Sequence, residues 1–189
     1  MALVTSLAAR SYVPIGDFRA PEAHFVLGPE ACDRVRHSVV VIAERFAPLP
    51  PEKLQRWATF GAWPDSKYFS QVVGIVVEEL RTDYARMRLP YRPELNQPAG
   101  VMHGGAIATL LDTVVIPAIG TGYDSRTPMV TVSMNVQYLG ALREEDAVAE
   151  GWIEQRGRSM VFCRAEVTGA TSGKACASAT LVYKVSPTT

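Results

Sequence analysis

Two different spacings of apolar residues divide the chain near residue 70. Before it, Val35, Val39, Ile42 and Phe46 recur at steps of four, three and four, while Asp33, Arg34, Arg36 and Arg45 lie mostly elsewhere on the wheel. That period predicts an amphipathic helix from Pro29 to Phe46. Pro48, Pro50 and Pro51 interrupt it, and a shorter helix from Glu52 to Phe60 is predicted to start after proline and stop at Gly61 and Pro64. After residue 70 the period falls to two. Ala85, Met87 and Leu89 alternate with Arg86 and Arg88, and Val130, Val132, Met134, Val136 and Tyr138 alternate with Thr131, Ser133, Asn135 and Gln137. Both read as half-buried strands. Similar segments run from Ala147 to Gln155, Met160 to Val167 and Lys174 to Val185, with a further apolar run from Val72 to Leu80. Arg156-Gly157 and Thr171-Ser172-Gly173 carry the turn signals between them.

The stretch GVMHGGAIATLLDTVVIPAIG, Gly100 to Gly120, follows neither pattern. From Gly104 to about Ile119 it is a helix that is apolar nearly all round, which a protein in water must enclose rather than lay on its surface. Several long antiparallel strands and one enclosed helix predict an α+β fold in which a sheet curls around that helix. A strand edge as apolar as Met129 to Leu139 invites pairing with another chain, so a homodimer with a continuous sheet is expected. Asp112 is the only carboxylate in the helix, and burying a lone charge costs several kcal/mol unless it is paired or used. The same burial would raise its pKa and make it a stronger base.

Composition narrows the function classes. At 189 residues, 48% hydrophobic and 20% charged, the chain suits one compact domain with an appendage. Lys plus Arg and Asp plus Glu are both 19, so no whole-protein field recruits nucleic acid or an anionic membrane, and an anionic ligand must be met locally. Cys32, Cys163 and Cys176 are odd in number and lack CxxC or Cys/His ligand spacing, which argues against a disulfide framework or a zinc site and fits a reducing cytosol. The opening MALVTSLAARSYVPIG lacks a basic start and a long apolar core, and no run reaches the roughly 18 apolar residues of a span. A soluble, cytoplasmic protein is expected.

GVMHGG at 100 to 105, an acid nine residues after His103, the strand VTVSMNVQYL and the later QRGRSMVFCRAEV and SGKACASATLVY together resemble one family. It is that of the hotdog-fold acyl-CoA thioesterases of the PaaI type, within the wider 4-hydroxybenzoyl-CoA thioesterase superfamily. The resemblance covers roughly residues 70 to 186. It implies a curved antiparallel sheet wrapped around one long central helix over residues 70–186, preceded by an N-terminal helical extension over 1–69 without counterpart in the minimal domain and followed by a tail over 187–189. It implies acyl-CoA as substrate, a homodimer that could pair into a homotetramer, and no metal or redox cofactor.

The resemblance also assigns roles. The backbone N–H groups of Gly104 and Gly105, at the positive end of the helix, would polarise the thioester carbonyl. Asp112 would act as general base for water or as nucleophile, from the other side of the dimer interface. Thr131 matches a hydroxyl that orients the water. Relatives often carry Asn three residues before the glycine of GxxHGG, where it contacts the carbonyl; here that position is Gln97 with Asn96 before it, and either amide could serve. His103, Arg156 and Arg158 are candidates for substrate contact, the arginines through CoA phosphates. A simpler role stands beside each: His103 capping the helix, Arg156 and Arg158 as solvated turn charges, Asp112 as a paired structural acid, Cys163 and Cys176 as inert strand residues. Retained chemistry makes the protein a thioester hydrolase. Lost chemistry at Gln97 would leave a non-catalytic acyl-CoA-binding or ligand-sensing module, and a hydratase would need an Asp/His pair in a motif the chain lacks.

Overall fold

The alternating segments fold into six antiparallel strands, as a computed structural model describing residues 42–58, 60 and 68–186 shows. They are β1 (Val76–Arg81), β2 (Tyr84–Leu89), β3 (Met129–Tyr138), β4 (Ala147–Arg156), β5 (Met160–Gly169) and β6 (Ala175–Val185). Their order across the sheet is β1-β2-β4-β5-β6-β3, so β3 leaves its neighbours in sequence and closes the far edge beyond β6. The helices are α1 (Pro51–Ala58), α2 (Phe69–Val73) and the central α3 (Gly104–Thr121).

The run from Val72 to Leu80 is not one strand. Gly74, at φ 87°, ends α2 and lets β1 begin two residues later. The predicted helix from Pro29 to Phe46 lies outside the described residues before Ile42. Its described end is a single 3-10 turn, Ile42–Arg45, whose Ala43 packs on Tyr84 and Trp152. Just after it, Pro48 bridges Arg81 of β1. The shorter predicted helix is present as α1.

α3 lies against the inward face of the sheet, where Leu110, Leu111, Val114, Val115, Ala118 and Ile119 are fully buried. A Cβ at Gly151 of β4 would stand 2.7 Å from Val114 Cγ1, so the glycine sets how closely helix and sheet approach. By length and composition α3 is apolar enough to cross a membrane, contrary to the expectation that no segment qualifies. Its burial under the sheet gives its apolarity another cause, for 61% of it is enclosed. Cys163 and Cys176 are buried free thiols, pushed up to about 12 and about 11, chiefly by burial, and so remain protonated.

β3 departs from the half-buried pattern that its alternation predicts. Only Met129 and Val136 are partly covered, while Val130, Val132 and Tyr138 are more than half exposed. As an edge strand paired with β6, it has no strand on its outer side among the described residues.

Candidate active site

A bulge in β3 builds the centre of the site. Thr131 pairs with Tyr183 of β6, but Ser133 pairs with Val182, so Val132 is an extra residue in the ladder. The cross-strand partners then show which β3 residues face the helix. Thr131 opposes Tyr183, Met134 opposes Leu181, Val136 opposes Ala179 and Tyr138 opposes Ala177, all buried inward positions of β6. Strict alternation would have put Thr131 on the opposite face from Met134 and Tyr138. The bulge turns it inward, toward α3.

Asp112 meets that pair. Tyr183 Oη donates to Asp112 Oδ1 at 2.6 Å and lies 2.9 Å from its main-chain carbonyl; Thr131 Oγ1 donates to the same Oδ1 at 3.0 Å. Among the described residues nothing donates to Oδ2. Asp112 is half-buried, neither sunk in the core nor ion-paired, which replaces the expectation of a lone charge enclosed in an apolar helix. Burial first, and the neighbouring carboxylate second, push the Tyr183 phenol well above its ordinary value, so it stays a donor at any physiological pH.

The N-terminus of α3 differs from expectation in one respect. His103 is the cap, and its Nδ1 accepts the Gly105 N–H at 2.8 Å. With Nδ1 accepting, the ring presents its second nitrogen, Nε2, outward. Of the two glycine N–H groups, that of Gly105 is thus engaged in the cap, whereas that of Gly104 meets no acceptor among the described residues. Tyr138 lies over it. Its Oη donates to the Gly104 carbonyl at 2.8 Å, and a Cβ at Gly104 would come within 3.2 Å of the phenol ring.

Asn96 and Gln97 are placed differently. Asn96 bridges Met102, its Nδ2 donates to Tyr91 Oη at 3.0 Å, and its Oδ1 is buried without a partner. Gln97 is exposed; its main chain closes a turn, with its N–H on the Val101 carbonyl at 2.9 Å, and its carboxamide makes no hydrogen bond among the described residues.

Arg156 is engaged within its own chain. Its guanidinium pairs with Asp83, donates to the Ile119 carbonyl at 3.1 Å and lies 4.7 Å from the Tyr123 ring centre. It closes the C-terminal end of α3, opposite the glycines, with its charge already matched. Arg158 is exposed at the tip of the β4–β5 hairpin. Tyr183 and Tyr138 were absent from the sequence-based candidates. The available signal was an inward tyrosine closing a run of buried Ala177, Ala179 and Leu181, since a buried phenol needs a polar partner.

A curved six-stranded antiparallel sheet on one long helix is the hotdog fold, and similarity to known proteins agrees. Residues 99–176 match the model of the thioesterase superfamily. Acyl-coenzyme A thioesterase 13 of Mus musculus is 32% identical over 76 residues, 40% of this chain and 54% of that protein. The chain thus spans about half the length of the curated relatives it matches. The conserved protein PA5202 from Pseudomonas aeruginosa superposes with a TM-score of 0.59 at 26% identity, over 64% of this chain and 95% of that one. The E. coli PaaI protein, at 14% identity, shares the fold, with a TM-score of 0.63 over 73% of this chain and 96% of its own.

Proposed function

We propose that the protein hydrolyses acyl-CoA thioesters to the free acid and CoA in the cytosol, without a metal or redox cofactor. One observation carries this reading: Asp112 is held at one carboxylate oxygen by two hydroxyls and keeps the other oxygen free beside an open strand edge. Held so, Oδ2 is aimed to take a proton from water or to attack a carbonyl itself. The Gly104 N–H, at the positive end of an 18-residue helix, supplies the donor for the oxygen on which charge develops.

Both groups of one chain do not serve one substrate. Eight residues of helix separate them by about 12 Å, and the Gly104 N–H points away along the axis, so a carbonyl bound there lies farther still. Asp112 of the same chain is out of reach even through one water. Two chains joined along β3 supply the pair, Gly104 from one and Asp112 from the other. Gln97, exposed and unengaged, rather than Asn96, is the amide assigned to the carbonyl; Gln97→Ala should lower kcat by about tenfold or more while acyl-CoA binding persists.

The deciding experiment is Asp112→Asn, with CoA release, acyl-CoA binding and thermal midpoint measured on one preparation. Turnover should fall by about a hundredfold or more, with affinity retained. Undiminished hydrolysis with a lowered midpoint would return Asp112 to a structural role. The wild-type protein binding acyl-CoA without ever releasing CoA would make it a ligand-binding module instead.

A further inference from the structure

One turn beyond Asp112, on the same face of α3, stands Ile116. Next to it β3 begins with Met129 and Val130, the latter adjoining Thr131. These three side chains line a cavity of about 530 Å³, a volume suited to a small organic ligand. Trp57 at the end of α1, with Phe60, supplies more of the wall. The two rings pack with centroids 5.9 Å apart, and the Trp57 ring occupies the space a side chain at position 120 would need, 1.9 Å from a Cβ built on Gly120. α1 is thus seated on the C-terminal half of α3. Both aromatics come from outside the segment that matches the superfamily, so this wall belongs to the chain's own N-terminal part.

Among the described residues, the charged members of the lining are all of one sign. Arg56, Arg126 and Lys184 line the cavity, with the hydroxyls of Thr127 and Ser186, and no described acidic side chain does. Arg56 is held in place by donating to the Asp124 carbonyl at 2.6 Å. The Asp124 carboxylate, the acid closest in sequence, is paired with Lys53 at 2.8 Å. Arg126 and Lys184 have no ion pair among the described residues, and Lys184 sits directly across the ladder from Val130. Cations around an apolar cleft attract an anion more strongly than they would in open water, repel a cationic end group and offer a methyl end nothing in exchange.

We propose that this cavity holds the acyl group and selects acyl chains that end in a carboxylate: its apolar walls take the body of the chain and Arg126, Lys184 and Arg56 take the distal carboxylate. The assignment rests on the thioesterase reading for its chemistry, because it places the thioester carbon of such a chain beside Asp112 and Thr131.

The test compares CoA thioesters of equal chain length ending in a methyl or a carboxylate, and the same acyl groups on pantetheine, which lacks the nucleotide phosphates. The wild type should favour the carboxylate end by tenfold or more in kcat/KM. Arg126→Glu with Lys184→Glu, two exposed positions whose exchange leaves the core intact, should reverse that preference on both carriers. Trp57→Ala should move the optimum toward longer or bulkier acyl groups. A wild-type preference for the methyl end overturns the proposal. So does a loss equal for both acyl types and confined to CoA, which would assign the cations to the carrier's phosphates, or a change in dimer dissociation with preference unaltered, which would mean that a second copy covers the cavity. Calorimetry with free α,ω-dicarboxylate and monocarboxylate of one length separates this from the enzymatic reading. Dicarboxylate binding lost in the double variant supports the cavity assignment even if no thioester is hydrolysed, and hydrolysis without such binding sinks it alone.

Discussion

The two edges of the sheet are built in opposite ways. β1 carries Glu78, Glu79 and Arg81, its side chains tied to one another and to Arg86 and Arg88 of β2, and the chain preceding α1 crosses it through the Pro48 bridge and the Thr82 N–H on the Ala47 carbonyl at 3.0 Å. Charge and a covering segment are the ordinary means of stopping an edge from pairing. β3 has ten residues, no charge and no covering segment among the described residues. It also bears Thr131 and Tyr138, which touch Asp112 and the Gly104 carbonyl. The edge left open is the one that carries the proposed chemistry, and the proposed division of the site between two chains needs that arrangement.

The largest effect should come from closing the open edge. Val132→Lys places a charge on each copy of β3 where two such strands would pair. Sedimentation should show dissociation, and hydrolysis should fall by about a hundredfold or more, the scale on which acid–base catalysis is lost. The matched change on the other edge, Val76→Lys, should leave the association state intact and shift stability by no more than about 0.5 kcal/mol. Equal effects at both edges would erase the distinction.

A smaller loss is expected inside β3's contact with β6. Tyr183→Phe removes a buried donor from Asp112 while keeping the ring, so stability should drop by about 1–3 kcal/mol in denaturant titration. Turnover should fall by about tenfold as the carboxylate loses its orientation. Thr131→Val, at an exposed position, should cost turnover with little change in stability. If Thr131→Val destabilises as much as Tyr183→Phe, the threonine is a structural residue.

The smallest effect sharpens the ionic side. The Tyr91 N–H on Asp146 Oδ1 at 2.8 Å, with Arg88 beside it, holds the Asp146 carboxyl below its ordinary value of 3.8. A depressed folded pKa contributes stability that is fully present above the unfolded value and lost as pH falls through the lower folded one. The thermal-midpoint gap between wild type and Asp146→Asn should therefore be widest at neutral pH and close on acidification. A gap unchanged by acid would show that the charge contributes nothing.

Much of this was legible along the chain. Period two located the strands because a strand buried on one face must alternate, and the all-apolar run located α3 because only enclosure permits it. His103, two residues from the glycine it caps, was legible as a cap for the same reason: local spacing sets local geometry. The apolar strand Met129 to Leu139 announced an edge, and β3 does close one side of the sheet.

Contacts between distant segments were decided by tertiary structure. One extra residue at Val132 turned Thr131 to the inward face, and no periodicity announces a bulge, since it arises from how β3 pairs with β6. Asp83 and Arg156, 73 residues apart, met at the end of α3 and gave a predicted turn charge a partner. Tyr183 found Asp112 across 71 residues, converting a carboxylate that composition made look stranded into one that is held and half open. Sequence determines which faces must be buried because burial acts residue by residue; which side chains converge depends on register and approach, set only when the sheet closes over the helix.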